Sequence, residues 1–307
     1  MIPRIVAISL IILAAAVAFA LPKISFTDVV KNTQAYGQTP QVISAQNQTA
    51  TESALPKRNE TFTDAPETTA QAVVVIDEKT GNILYSKNPD LKHLPASTTK
   101  LMTALVALEK CSPDDIITVS ALQRDGSVMG LNEGDKITVK DLLKGLLISS
   151  GNDAAFALAQ NCAQSYDDFI NKMNQKAHDL QMSNSHFANP AGYDDELQYS
   201  TADDLAKLAR VATANPLIAN IVKTKSTVVT DVSGLKTYYL ENVNKLLGVV
   251  DGLDGVKTGE TQGALENLIS KTTRGGNSII ISVLGSKDRF GETQKLIEWA
   301  FANFTWK

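Results

Sequence analysis

Three short clusters in this chain hold residue types that can perform acyl transfer: Ser97-Thr98-Thr99-Lys100, Ser150-Gly151-Asn152 and Lys257-Thr258-Gly259. A serine hydroxyl is a weak nucleophile until a base stands beside it. Residues three apart share one face of a helix, so Lys100 can set its amine next to Ser97 Oγ. A semi-buried lysine near other positive charge has a lowered pKa, and its neutral form can take the serine proton. A serine at a helix N-terminus also sits in a field that favours developing negative charge, and its own N–H is a natural oxyanion donor. Each cluster alone is weak: an S-x-x-K match arises about once by chance in a chain of this length. Read in isolation, Ser97 and Lys100 are a helix cap and an exposed lysine, and Lys257-Thr258-Gly259 is a strand start. The information lies in the set, its order and its contexts.

The surrounding pattern supplies elements able to position these clusters. Ser97 follows Pro95 and precedes a predicted helix over Leu101–Lys110, with Leu101, Leu105 and Leu108 at helical spacing. Helices are also predicted over Val139–Leu147 and Asn152–Ala163, so Ser150-Gly151-Asn152 opens the second of these. A further helix over Ala202–Ala214 starts after Ser200-Thr201. Val73–Ile76 and Ile83–Ser86 flank the turn Asp77–Asn82 as a hairpin. Lys257 follows the glycine-rich turn Asp251–Gly255 and opens a strand. Leu265–Lys271 and Ser278–Leu284 are strands about the turn Gly275-Gly276-Asn277, and a last helix runs from Glu292 to Phe301. This order predicts an α+β domain. Its antiparallel sheet is assembled from both ends of the domain and flanked by helices, with a helical subdomain inserted between.

The three clusters in this order match the signature of serine penicillin-binding enzymes. From about Ala70 to Phe304 the chain resembles the low-molecular-mass D-Ala-D-Ala carboxypeptidases, peptidase family S11. The resemblance is carried by Pro95–Leu105, by Asp141–Leu147 through Ser150–Ala155, by Asn189-Pro190-Ala191-Gly192, by Ser200–Ala206 and by Asp254–Gly259. It implies the β-lactamase/transpeptidase-like fold, with the active site in the cleft between the sheet and the helical part. It also implies roles. Ser97 is the nucleophile and Lys100 its base. Ser150 bridges Lys100 and the leaving amine. Asn152 binds the acyl-side amide of the substrate, and Lys257 and Thr258 bind its terminal carboxylate. Gly259 lets substrate approach the strand closely, and the N–H of Glu260 is the second oxyanion donor. The implied substrate is a peptidoglycan stem pentapeptide that loses its last D-alanine through a Ser97 acyl-enzyme, and β-lactams acylate the same serine. Two positions depart from the pattern: Glu260 stands where an aromatic residue or His is usual, and Gln198 where many relatives carry His.

Two other readings stay open beside this one. A class A-like β-lactamase needs a deacylating carboxylate between the second and third clusters and usually S-D-N rather than Ser150-Gly151-Asn152. A non-catalytic penicillin-binding sensor or scaffold is disfavoured by intact Ser97, Lys100, Ser150 and Lys257. Asp194, Asp195 and Glu196 read as a solvated loop rather than an acidic catalytic cluster.

Composition narrows the rest. With 20% charged residues, 6% aromatics and a net charge of −4, the chain has no basic footprint for nucleic acid. The two cysteines form no C-x-x-C pair and the three histidines no H-E-x-x-H, so no metal or other cofactor is expected. Cys111 and Cys162 are either a disulfide of an oxidising compartment or two free buried thiols. Ile5–Leu21 is uncharged and follows Arg4, which predicts a signal peptide or N-terminal membrane anchor over residues 1–21. Residues 22–68, rich in Thr, Gln, Asn and Ser, read as a disordered polar linker, and 69–307 as the catalytic domain. The expected location is the cell envelope, either periplasm or the outer face of the cytoplasmic membrane. Any tether runs through the N-terminus, because the chain stops at Lys307 before the further β-domain and amphipathic anchor of many relatives.

Overall fold

The structure is a computed structural model that describes residues 55–120, 123 and 125–306. The segment predicted as signal or anchor, and the linker up to residue 54, lie outside the described residues.

The strands are β1 (Lys57–Arg58), β2 (Ala72–Asp77), β3 (Ile83–Lys87), β4 (Ile116–Thr118), β5 (Lys136–Thr138), β6 (Ser226–Thr230), β7 (Thr237–Glu241), β8 (Leu253–Thr261), β9 (Leu265–Arg274), β10 (Asn277–Ser286) and β11 (Phe304–Thr305). The helices are α1 (Lys100–Lys110), α2 (Val139–Leu147), α3 (Asn152–Asn161), α4 (Tyr166–Asp179), α5 (Ala202–Ala214), α6 (Pro216–Val222) and α7 (Arg289–Asn303). Five strands form an antiparallel sheet in the order β3-β2-β10-β9-β8. The first and last parts of the domain therefore meet in one sheet, joined along β2 and β10, as the element order predicts.

Both faces of this sheet are covered, which is why β2 is buried at every position. Side chains alternate along a strand, and here the alternation divides two cores. Ala72, Val74, Ile76, Ile280 and Leu284 face the helical part, whereas Val73, Val75, Ile279, Ile281 and Val283 pack beneath α7. On the helical side α1 is packed against α2, α3, α4 and α5. Cys111 and Cys162, the C-cap residues of α1 and α3, are joined in a disulfide with Cα atoms 5.5 Å apart.

The helix starts follow from local capping chemistry. Thr138, Ser165, Thr201 and Asp288 each accept a bond from a backbone N–H three residues on, at the starts of α2, α4, α5 and α7. The helix α4 and the pair β6–β7, absent from the predicted elements, complete the helical part. Asp135 accepts bonds from Lys236 Nζ and Tyr238 Oη, tying β6–β7 to the β4–β5 hairpin. These bonds hold the Asp135 carboxyl below its ordinary pKa against the opposing effect of burial.

The structure also moves the start of the ordered domain. Residues 55–68 fall inside the polar segment read as linker, yet β1 pairs with β11 through Lys57–Thr305 and Arg58–Phe304. Phe62 lies edge-on to Trp299 and Phe304 at 5.9 Å, and Thr63 O accepts a bond from Trp299 Nε1. One aromatic residue and a two-residue strand suffice to dock this stretch, below the length at which composition distinguishes it from spacer.

Candidate active site

The nucleophile candidate Ser97 lies in a 3-10 turn, Ala96–Thr99, that runs directly into α1. The backbone at Ala96 is left-handed, φ 48°, unusual for a residue with a side chain. Two glycines let neighbouring backbone close around this turn. Gly192 has φ +88°, and a Cβ there would stand 1.8 Å from Ala96 O. A Cβ on Gly259 would stand 3.0 Å from Pro95 O and 3.1 Å from Ser97 N. The Lys257-Thr258-Gly259 strand thus passes beside the nucleophile backbone. It lies in the middle of β8 rather than at its start, on the sheet edge.

Lys100 is fully buried. Its Nζ donates to Ser97 Oγ, Asn152 Oδ1 and Ala191 O, each at 2.7 Å. Burial lowers its pKa well below the ordinary lysine value, the Lys257 charge lowers it further, and Asp153 opposes both. A neutral amine has two N–H groups and one lone pair. With Asn152 Oδ1 and Ala191 O taking the two protons, the lone pair is left for the Ser97 hydroxyl.

Ser150 and Asn152 arrive on the turn into α3, with Ser150 at φ 61°. Ser150 Oγ accepts a 2.9 Å bond from Lys257 Nζ, which also donates to Thr258 O. Ser150 is therefore placed against the second lysine, while Lys100 directs its bonds to Ser97, Asn152 and Ala191. Burial, with a contribution from the Arg289 charge, lowers the Lys257 pKa to about 7.

Several supporting groups escaped the sequence reading. Asp153 is buried, and its carboxylate accepts from the backbone N–H groups of Met129, Gly130, Leu131 and Ala154. It fixes the segment that borders Asn152, whose Nδ2 donates to Asp125 O, as does Tyr193 Oη. Arg289, at the start of α7, donates from Nη1 to Gly259 O and pairs with Glu260 at 2.9 Å. Nothing adjacent in sequence marks Arg289; only the fold brings it to β8. Asp194 is part of a strap rather than a free loop residue, because it accepts from Thr261 Oγ1 and Gly263 N across the site's edge. Gln198, where the family pattern has His, accepts from Ala188 N and Asn189 N and donates to Thr99 Oγ1. The amide thus anchors the 188–192 turn, which presents Ala191 O to Lys100, against the nucleophile helix.

Among the described residues no group of three or more His, Cys, Asp or Glu side chains is placed to hold a metal ion. The site brings together a serine, two buried lysines of lowered pKa, a second serine, an asparagine and an arginine around the junction of α1, α3 and β8.

Known proteins share this arrangement's sequence and fold. The crystal structure of the Streptomyces K15 DD-transpeptidase superposes with a TM-score of 0.74 at 33% identity, covering 78% of this chain and 100% of that one. The chain is 35% identical over 245 residues to the D-alanyl-D-alanine carboxypeptidase DacF of Bacillus subtilis, covering 76% of this chain and 63% of DacF. It is 37% identical over 258 residues to DacD of Escherichia coli, covering 78% of this chain and 65% of DacD. The chain thus spans under two thirds of the length of these two curated relatives. The family profile described as D-alanyl-D-alanine carboxypeptidase matches residues 59–288, and the chain belongs to that family, peptidase S11.

Proposed function

We propose that this chain is a serine-type D-Ala-D-Ala carboxypeptidase that removes the terminal D-alanine from peptidoglycan stem pentapeptides and is acylated by β-lactams at Ser97. The observation that carries the reading is Lys100: buried, lowered in pKa and 2.7 Å from Ser97 Oγ. Neutral Lys100 takes the Ser97 proton as Oγ attacks the carbonyl carbon of the penultimate D-alanine. The resulting oxyanion is met by the N–H groups of Ser97 and Glu260. Asn152 binds the acyl-side amide, and Lys257, Thr258 and Arg289 hold the terminal carboxylate. The proton reaches the leaving amine through Ser150, which Lys257 orients. D-alanine departs, and water releases the shortened stem from Ser97. Membership of this family supports a place in the cell envelope. An uncharged N-terminal run over Ile5–Leu21 supports export, with that segment as cleaved signal or retained tether.

The test is D-alanine release from a stem pentapeptide by the chain and by two variants. Ser97→Ala should lose activity by roughly 10⁴-fold or more. Lys100→Arg keeps the charge but offers no base, and should lose roughly 10²- to 10⁴-fold. Equal release by Ser97→Ala and the unmodified chain sinks the mechanism, and rapid nitrocefin turnover moves the assignment to a β-lactamase.

A further inference from the structure

Tyr193 takes no part in the proton transfers, yet its place in the chain sets it beside the nucleophile. It follows Ala191, whose carbonyl holds Lys100, and Gly192, whose backbone presses on the turn that carries Ser97. Asn189 fixes its backbone, accepting from Tyr193 N through Oδ1 and donating to Tyr193 O through Nδ2. The far end of the side chain is held as well. Tyr193 Oη and Asn152 Nδ2 donate to the same carbonyl, Asp125 O, at 3.0 and 2.5 Å. The phenol therefore stands beside the amide assigned to the acyl side of the substrate. Phe156, one turn along α3 from Asn152, backs the ring with centroids 6.0 Å apart and is itself stacked on Tyr166. Phe156 is buried, whereas Tyr193 is half-buried and keeps exposed surface.

We propose that Tyr193 is a specificity-determining residue for the acyl donor. Its ring receives the group just beyond the amide that Asn152 binds, so the site favours donors with a flat or extended apolar body there over donors with a short one. The inference rests on the carboxypeptidase reading above and names the acyl-side chemistry which that reading leaves open. A ring pinned at both ends loses little freedom on contact. An aromatic partner meets it offset or edge-on, and a methylene chain lies across its face. The contact is the same before and during bond formation, so it acts on binding rather than on the chemical step.

Two penicillins isolate this contact. Benzylpenicillin and 6-acetamidopenicillanic acid share the lactam, the carboxylate and the side-chain amide, and differ by one phenyl ring. Ser97 acylation of the full chain, followed by intact mass, should favour benzylpenicillin by roughly 3- to 10-fold in second-order rate. Tyr193→Leu should bring the two within about 2-fold. The change should lie in the half-saturating concentration rather than in the limiting rate. Tyr193→Phe keeps the ring, loses the hydroxyl bond to Asp125 and should retain the preference. Equal acylation of the unmodified chain by the two penicillins overturns the proposal, as does a preference that survives in Tyr193→Leu. A preference lost equally in Tyr193→Phe also overturns it, because the hydroxyl's hold on Asp125 is then the cause. Failure of both penicillins to label Ser97 in the unmodified chain strikes at the acyl-enzyme itself, so the two failures are told apart.

Discussion

At the scale of single residues, the site depends on two lysines, Lys100 and Lys257, whose side chains are buried. Lys257 shows what that costs. Its pKa falls from 10.5 to about 7 on folding, so the folded chain gives up a proton that the unfolded chain keeps. Above pH about 10.5 the group is neutral in both states and contributes no penalty. Between about 10.5 and 7 only the unfolded chain is protonated, and stability drops as pH falls. Below about 7 both are protonated and the penalty is complete. Lys257→Met removes the charge at similar volume. Its Tm advantage over the unmodified chain should be greatest near pH 6 and should shrink toward pH 10, while β-lactam acylation falls. A pH-independent difference in Tm would show that the lysine charge is not the source. Ser97, Lys100, Ser150, Asn152 and Lys257 were legible in the sequence because a serine, its base and its neighbours come in short runs. Arg289 and Asp153 were not legible as site residues. An arginine at an ordinary helix start and an aspartate in a first helical turn carry no mark of what lies across the fold.

At the scale of elements, the nucleophile helix and the helix carrying Ser150-Gly151-Asn152 are pinned at their far ends. The Cys111–Cys162 bond closes a loop of 51 positions in sequence. Chain-entropy arguments give about 4 kcal/mol for a loop of that size. The double variant Cys111→Ala with Cys162→Ala should therefore unfold at markedly lower denaturant concentration, yet keep near-normal acylation well below its Tm. The reacting groups sit at the opposite ends of α1 and α3, and α1 keeps its packing against α2, α4 and α5. Loss of acylation in the folded double variant would instead mean that the bond sets the catalytic geometry. The bounds of α2 and α5 follow from apolar spacing and threonine caps at Thr138 and Thr201. Helix α4 buries only Phe169, Met173 and Ala177 along its length. That narrow stripe amid charged residues hid it, although Ser165 before Asp168 was a readable capping signal. The cysteines themselves left pairing undecided, because adjacency of two helix ends is a tertiary fact.

At the scale of the whole molecule, strands from both ends of the domain join side by side in one sheet, and this was readable because β2 and β10 are β-branched runs buried on both faces. The true start of the domain was not. Phe62 and β1 are too short to separate from polar spacer by composition, and only their contacts with Trp299, Phe304 and β11 reveal them. The pairing of β1 with β11 sets the first and last described residues side by side, at the spacing of neighbouring strands, about 5 Å. The backbone path is thus nearly a closed ring, and the place where it is cut is not dictated by the fold. A permuted chain should show this: a short linker joins Trp306 to Leu55, and new ends open at Gly234. That glycine lies in the β6–β7 turn beside fully solvated Leu235, and its Cβ would meet nothing within 4 Å. Circular dichroism and Ser97 acylation should match those of the native order. Synthesis would then begin with β7 and the sheet strands β8, β9 and β10, and end with the helical block, an inversion of the order in which the two halves leave the ribosome.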